Sequence, residues 1–181
     1  MSDPSSTSSA ARSRRPSPDD ESRAGQAQAG DDWRAFADDV AADVRHFLTG
    51  LEGVAAGEAR DEAVALLLLE LSQIMFAGAK LGATKDIILE SNWEPDVGEE
   101  PDVDALRARL AAQLGDIDEY VEVFDPYADD GAEPYRLSDD IVDVAMDLAH
   151  GLRHYDAGRP LEALWWWQFS YLSHWGNHAG A

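Results

Sequence analysis

Apolar residues recur at steps of three and four along most of the chain after position 31, the spacing that places side chains on one face of a helix. In the first such stretch the apolar positions are Trp33, Phe36, Val40, Val44 and Phe47. Asp31 or Asp32 can cap the start of this helix, and Gly50 can end it. The pattern therefore predicts a first helix over about residues 31–50.

The longest apolar run lies in a second predicted helix, over about residues 58–81. Its segment AVALLLLELSQIMFAGA is apolar around most of the helix circumference, which is typical of the central helix of a bundle. A membrane-spanning helix needs about 20 apolar residues, and Glu70, Ser72 and Gln73 interrupt this run. The segment is therefore predicted to be a core helix.

A third helix is bounded by Asp102, which can cap its start, and Gly115, which can end it. The stretch after it, residues 117–136, fits neither a period of two nor a long helix. It is predicted to be a short helix or an extended piece, followed by a loop.

The last two predicted helices form a hairpin. The first covers residues 138–155, with Ser138 as its cap. Gly158 can end this helix, and Pro160 suits the first position of the next. So short a connection predicts that the two helices are antiparallel neighbours.

These elements predict the all-α class, as a single-domain bundle of about five helices over residues 31–181. Residues 1–30 contain no large apolar residue after Met1, and such a segment cannot bury enough surface to order itself. It is therefore predicted to be a disordered tail. Arg14 and Arg15 resemble a twin-arginine export signal, but no apolar segment follows them. We expect a cytoplasmic protein.

The composition argues against several partners and chemistries. Asp and Glu number 36 against 14 Lys and Arg, and the net charge of −22 repels nucleic acids and anionic membranes. The chain has no cysteine, which excludes disulfides and thiolate metal sites. The motifs G-x-S-x-G, G-x-x-x-x-G-K, H-E-x-x-H and G-x-G-x-x-G are absent. The sequence thus predicts no catalytic residue and no cofactor.

Two pairs of histidines occur at the four-residue spacing that metal ligands on a helix often have. His150 and His154 share a helix face with Asp143 and Asp147. The opposite face of that helix is apolar and is predicted to form the core; its residues are Ile141, Val144, Ala145, Leu148 and Leu152. The stripe of aspartates and histidines is therefore predicted to be a solvated face.

The last helix is aromatic on two sides, which is unusual for a terminal surface helix. The side predicted to pack on the preceding helix carries Leu161, Leu164, Trp165, Phe169, Leu172 and Trp175. The other side carries Trp167, Tyr171, His174 and His178. This second stripe is either core, with its polar tips satisfied by hydrogen bonds, or a surface for a partner or ligand.

Glu70 is the one carboxylate predicted to lie near the core, between Leu66 and Ile74. Buried charged groups are usually paired, so Glu70 can accept a hydrogen bond and fix the helix register. If the last helix packs on the second helix, Glu70 can instead meet His174 and His178. A carboxylate and two histidines can hold a metal or move a proton.

The C-terminal half contains a distinctive set of motifs. They are W-x-W-x-F from Trp165, H-W-G-x-H from His174, and the segments YVEVFDPY and DDIVDVAMDLAHGLRHYDAG. With these motifs the chain resembles, over about residues 33–179, the family catalogued as domain of unknown function 5063. The resemblance implies a small all-helical bacterial protein and supplies no activity.

Two functional hypotheses follow. The first is a non-catalytic acidic module that binds a protein partner or a second copy of itself through its aromatic C-terminal helix. The alternative is a helical protein that binds a metal or small molecule at a site of glutamate and histidine. The candidate residues for the two are Trp167, Tyr171, His174, His178 and Glu70.

Overall fold

The computed structural model describes residues 18–58, 60–89, 94–99, 101–123, 127 and 133–180. Most of them are helical, which confirms the predicted all-α class. The α-helices are α1 (Pro18–Ala55), α2 (Ala63–Ala83), α3 (Asp104–Leu114), α4 (Leu137–Asp156), α5 (Pro160–Ser170) and α6 (Gly176–His178). The sheet is a hairpin of β1 (Glu119–Glu122) and β2 (Glu133–Arg136).

The chain divides into two compact units, Met1–Asp32 and Trp33–Ala181. Helix α1 begins at Pro18, within the segment predicted as a tail, and so earlier than the predicted caps Asp31 and Asp32. Residues 1–17 lie outside the described part of the chain, and disorder there stays a prediction.

Helix α1 continues past Gly50, its predicted end, to Ala55. The glycine faces α2 at very short range, because a Cβ added to Gly50 would lie 2.6 Å from Glu70 Oε1. Gly50 thus provides space for a neighbouring side chain instead of ending the helix.

Helices α1, α2, α3, α4 and α5 and the segment after α5 all contribute to the core of the second unit. Its largest fully buried side chains are Trp167, Trp175, Phe47, Leu51, Ile74, Leu81, Leu110, Leu148, Leu164, His154, Val40 and Val44. The predicted apolar face of α1 is confirmed, since Val40, Val44 and Phe47 are buried and Trp33 and Phe36 pack against them.

Helix α2 is not the central helix that its composition predicts. Its inner face is buried, but Val64, Leu68, Leu69 and Phe76 are each at least half exposed. Within the described ranges, α2 alone is long and apolar enough to cross a membrane, by length and composition only, and 28% of its most apolar window is buried.

The stretch 117–136 contains the hairpin, in which Glu119 pairs with Arg136 and Tyr120 with Tyr135. The hairpin is attached to the start of α4 by Asp118, whose carboxylate accepts hydrogen bonds from the backbone N–H of Ser138 at 2.8 Å and from its hydroxyl at 3.0 Å. The prediction that Ser138 caps α4 is therefore wrong. A distant carboxylate satisfies the first turn in its place.

Helices α4 and α5 pack against each other, as the short connection predicts. Gly158 adopts a positive φ of 77° after the end of α4, and Pro160 is the first residue of α5. Two indoles of α5 donate to backbone carbonyls of α4, Trp166 to Asp147 at 2.9 Å and Trp167 to Leu148 at 3.0 Å.

The predicted core face of the last helix is confirmed at Leu164 and Trp175, which are fully buried, and is wrong at Phe169 and Leu172. Phe169 and Leu172 are 52% and 63% exposed, whereas Trp167, from the opposite stripe, is fully buried. The indole of Trp167 fits against Gly151, where an added Cβ would lie 2.2 Å from Nε1. After Ser170 the helix forms a π-helical turn from Tyr171 to Trp175, which changes the angular spacing for the residues from Tyr171 onward.

Candidate functional site

Helix α4 carries a polar stripe that the rest of the fold covers. Its members are Asp140, Asp143, Asp147, His150 and His154. His154 is fully buried, and the side chains of Asp147 and His150 are 15% and 17% exposed, so the predicted solvated face is wrong for these three and holds in part only for Asp143, at 36%. The C-terminal helix and the segment 94–99 bring partners to this stripe, and these partners divide it into two clusters.

The first cluster joins Glu94 to His150 and His154. Glu94 Oε1 lies 2.5 Å from His150 Nε2 and 2.7 Å from His154 Nε2. Arg153 Nη2 lies 2.9 Å from His150 Nδ1. A guanidinium has only N–H groups, so His150 Nδ1 accepts and its proton lies on Nε2, which donates to Glu94. Both histidines of this cluster thus donate the N–H of Nε2 to the Glu94 carboxylate.

Arg153 also holds the segment that contains Glu94. Its Nη1 donates to the carbonyl oxygens of Glu99 at 2.5 Å and Gly98 at 3.3 Å. Burial raises the pKa of Glu94, but the hydrogen bonds from His154 and His150 and the electrostatic attraction of the two rings lower it further, and the pKa lies below its ordinary value of 4.5. The ionised carboxylate therefore attaches the segment 94–99 to α4.

We expect the Glu94→Gln variant to be less stable than the wild type at pH 7, with a difference that shrinks in acid. A carboxyl whose folded pKa is depressed contributes stability above its unfolded pKa and loses it as the pH falls through the folded value. The loss therefore begins near pH 4.5, the ordinary value, and continues below it. Urea unfolding of dilute protein from pH 7 to about pH 3 measures this. A constant difference over that range would contradict the assignment.

The second cluster joins Asp143 to His174 and His178. One ligand atom from each of these three side chains lies within 4.8 Å of the other two. His174 Nδ1 lies 2.7 Å from Asp147 Oδ2, and His178 Nδ1 lies 2.7 Å from Asp140 Oδ1. Two further carboxylates of the α4 stripe thus fix the orientation of both rings.

The proton placement in the second cluster is opposite to that in the first. A carboxylate accepts, so Nδ1 of His174 and of His178 carries the proton and Nε2 carries a lone pair. Within the described part of the chain, no hydrogen bond reaches either Nε2. A histidine whose other ring nitrogen donates to a carboxylate is the usual arrangement around a protein-bound metal. The second cluster therefore offers two nitrogen lone pairs and a carboxylate.

Asp140 has a second partner on the hairpin. Tyr120 donates its hydroxyl to Asp140 Oδ2 at 2.7 Å. Burial and this hydrogen bond to the carboxylate raise the pKa of Tyr120 above its ordinary value of 10.0. Tyr120 therefore keeps its proton at neutral pH and stays a donor.

A cavity of about 310 Å³ lies along the α4 stripe. Asp143, Asp147 and His174 of the second cluster line one part of it, and His150 and Arg153 line another. Its apolar walls are Pro101, Met146 and Trp166. The ring of Trp166 lies 3.9 Å from that of His150, centroid to centroid. A small molecule bound here would reach the Asp143 carboxylate and His174.

The candidate residues predicted from sequence are separated in the fold. Trp167 is core, and Tyr171 is half-buried with its ring 4.8 Å from that of Trp175. Glu70 is buried beside Gly50, with its Oε1 3.5 Å from His46 Nε2. His174 and His178 instead bond to α4. The predicted meeting of Glu70 with these histidines is therefore wrong.

Asp140, Tyr120 and Glu94 are not among the candidates predicted from sequence, and Asp143 and Asp147 are predicted there to lie on a solvated face. A signal existed for the aspartates, because Asp143 and Asp147 share a helix face with two histidines and Asp140 precedes Asp143 by three residues. Nothing in the local sequence pairs Tyr120 or Glu94 with that face.

Residues 31–181 match the family described as Domain of unknown function (DUF5063), as the C-terminal motifs predict. Among solved structures, the chain is similar to protein BF1032 from Bacteroides fragilis, with a TM-score of 0.61 and 18% identity. The similarity covers 78% of this chain and 83% of that chain. At this identity the likeness concerns the fold alone. No curated protein matches the chain.

Proposed function

We propose that this chain, which belongs to the family described as Domain of unknown function (DUF5063), binds a divalent transition-metal ion at Asp143, His174 and His178. The observation that carries the proposal is the proton placement. Asp147 and Asp140 accept from Nδ1 of the two histidines, so both Nε2 atoms carry lone pairs, and one nitrogen of each ring lies within 4.8 Å of a third carboxylate, that of Asp143.

The donor set indicates the class of ion. Imidazole nitrogen suits zinc, iron, nickel and copper, whereas calcium and magnesium prefer sites made of oxygen. Three protein ligands leave at least one position of a transition metal open. Because Asp143 and His174 line the cavity, the open position can take a water or a small molecule from there.

The charges around the site favour a cation. Asp140, Asp143 and Asp147 lie on one face of α4, and the whole chain has a net charge of −22. Among the described residues, Arg107 forms an ion pair with Asp143, with its Nη2 4.0 Å from Asp143 Oδ1, and its Nε pairs with Asp139 at 2.9 Å. A divalent ion would offset the remaining repulsion among the carboxylates.

The first cluster is a poor alternative for the ion. Its two Nε2 atoms donate to Glu94, and Arg153 keeps the proton of His150 on Nε2. His150 would have to lose its bond to Arg153 before it could bind a metal through Nε2. This difference makes Glu94→Gln a matched control, because it alters a cluster of the same composition.

The experiment is a zinc titration of the full chain, purified without a histidine tag and treated with a chelator beforehand. We expect one Zn²⁺ per chain in the wild type, measured in competition with a zinc-binding dye. Loss of a carboxylate that orients a ligand typically costs 10–100-fold in affinity. We therefore expect His174→Ala and His178→Ala, which remove ligands, to lose about 100-fold or more.

Glu94→Gln is expected to bind zinc like the wild type. A wild-type chain that takes up no zinc, or histidine variants that bind it unchanged, would refute the proposal.

The hypothesis of a protein-interaction module gains less support. It requires Trp167 and Tyr171 at the surface, and Trp167 is fully buried. Exposed apolar residues occur elsewhere, on α2 and at Phe169 and Leu172. A protein partner, self-association and a cytoplasmic location stay predictions, as does the absence of nucleic-acid and membrane binding.

A further inference from the structure

The Asp140 carboxylate connects the hairpin to the proposed ion site. Its Oδ2 accepts from the Tyr120 hydroxyl and its Oδ1 from His178 Nδ1, each at 2.7 Å. Asp140 is 8% exposed, so water has little access to replace either partner. Each carboxylate oxygen therefore has one protein partner.

The tyrosine determines which way this carboxylate points. A carboxylate with one donor can rotate about its last bond, whereas a donor on each oxygen fixes its plane. With Oδ2 held by Tyr120, Oδ1 faces His178 and keeps the proton of that ring on Nδ1. The lone pair is then on Nε2, and one ring nitrogen of His178 lies within 4.8 Å of a carboxylate oxygen of Asp143.

The hairpin holds Tyr120 in place. Tyr120 pairs with Tyr135 across the two strands, with 5.8 Å between ring centroids. Asp118, two residues earlier, binds the first turn of α4 through Ser138. The hairpin is thus fastened to α4 at two points close to Asp140. Moving the hairpin away would withdraw the hydroxyl from the carboxylate.

The other histidine has no such connection to the hairpin. Its carboxylate, Asp147, lies two helical turns further along α4, and its only described side-chain partner is His174. Within the described ranges, the hairpin therefore reaches the site through His178 alone.

We infer that Tyr120 is a positioning residue of the ion site, and that ion binding and docking of the β1–β2 hairpin stabilise each other. The inference rests on the proposed function. Because coupling between two binding events is reciprocal, a hairpin that improves ion binding is itself held more firmly when the ion is bound.

The first test compares zinc affinities of the full chain with Tyr120→Phe. Removing the hydroxyl is expected to weaken zinc binding by about 10–100-fold, as for other residues that orient metal ligands. Tyr155→Phe is the matched control. Tyr155, on α4, also donates its hydroxyl to a carboxylate, that of Asp38 on α1, at 2.6 Å. We expect the control to bind zinc like the wild type.

The second test measures the effect of zinc on the wild type itself, so its main result does not require a variant of Tyr120. Amide hydrogen exchange is followed in residues 119–122 and 133–136 with and without Zn²⁺. Zinc is expected to slow exchange there in the wild type and to have no such effect in His178→Ala. A purely structural role for Tyr120 would not make exchange in the hairpin depend on zinc.

The outcomes separate this inference from the proposed function. If the wild type binds zinc and Tyr120→Phe stays within about twofold of it, or if zinc leaves the hairpin amides unchanged, the positioning role is wrong and the ion site stands. If the wild type takes up no zinc, both are wrong.

Discussion

Replacing Trp167 with alanine is expected to lower the free energy of unfolding by about 3–5 kcal/mol, the usual cost of removing a large buried aromatic side chain. The indole is fully buried in α5, and its N–H donates to the Leu148 carbonyl at 3.0 Å. The variant therefore loses buried apolar area and a buried hydrogen bond, and it leaves a cavity beside Gly151. For a chain of this length the melting temperature should fall by about 10 °C.

Phe169→Ala is the matched control, since it removes an aromatic ring from the same helix that is 52% exposed. It should cost about 1 kcal/mol or less, because surface substitutions have small effects. Urea unfolding of both variants measures the difference. If Trp167→Ala were as stable as the wild type, the indole would not contribute to core packing, and the hypothesis of a partner surface at this residue would again be favoured.

The fate of Trp167 illustrates which parts of the fold the sequence can predict. Three helix ends depend on nearby residues, and Gly115, Gly158 and Pro160 are found where their local chemistry predicts, whereas the start of α4 depends on the distant Asp118. The face that a helix buries depends on residues far along the chain. Gly151 on α4 leaves room for the indole of Trp167, and the sequence of α5 alone does not indicate that this space exists.

Helix α1 shows the same limit at both ends. Its apolar period predicts the buried face correctly, but the helix continues through Gly50, where the side chain of Glu70, twenty residues later, occupies the space that a Cβ would need. Composition misleads in α2 for a related reason. An apolar circumference is expected of a central helix, yet only one side of α2 has neighbours, and Leu68 and Phe76 are exposed.

The sequence could predict which residue types form the candidate ion site, but not how these residues are arranged. The sequence offers two histidine pairs and a stripe of aspartates at helical spacing. Which pair can bind a metal depends on where the protons lie, and this depends on distant partners. Asp147 and Asp140 leave the Nε2 lone pairs of His174 and His178 available, whereas Arg153 and Glu94 occupy both nitrogens of His150.

Gly151→Ala is expected to destabilise the protein by about 1–3 kcal/mol, the usual cost of overpacking a core. Elsewhere in a helix the same change stabilises by up to about 1 kcal/mol, because alanine has the higher helix propensity. At Gly151 the added Cβ would lie 2.2 Å from Trp167 Nε1 and 2.5 Å from its Cδ1. The indole is fully buried, so it cannot move aside without disturbing its neighbours or its bond to Leu148.

Gly53→Ala, in α1, is the matched control. Its added Cβ would lie 3.3 Å from the carboxylate of Glu58, an exposed side chain that can move. The two substitutions are chemically identical and both positions are helical, so only their surroundings differ. We expect Gly53→Ala to leave the free energy of unfolding unchanged or raise it, and Gly151→Ala to lower it. If Gly151→Ala also stabilised the chain, the indole of Trp167 could not lie against α4, and the packing that buries one stripe of the last helix would be wrong.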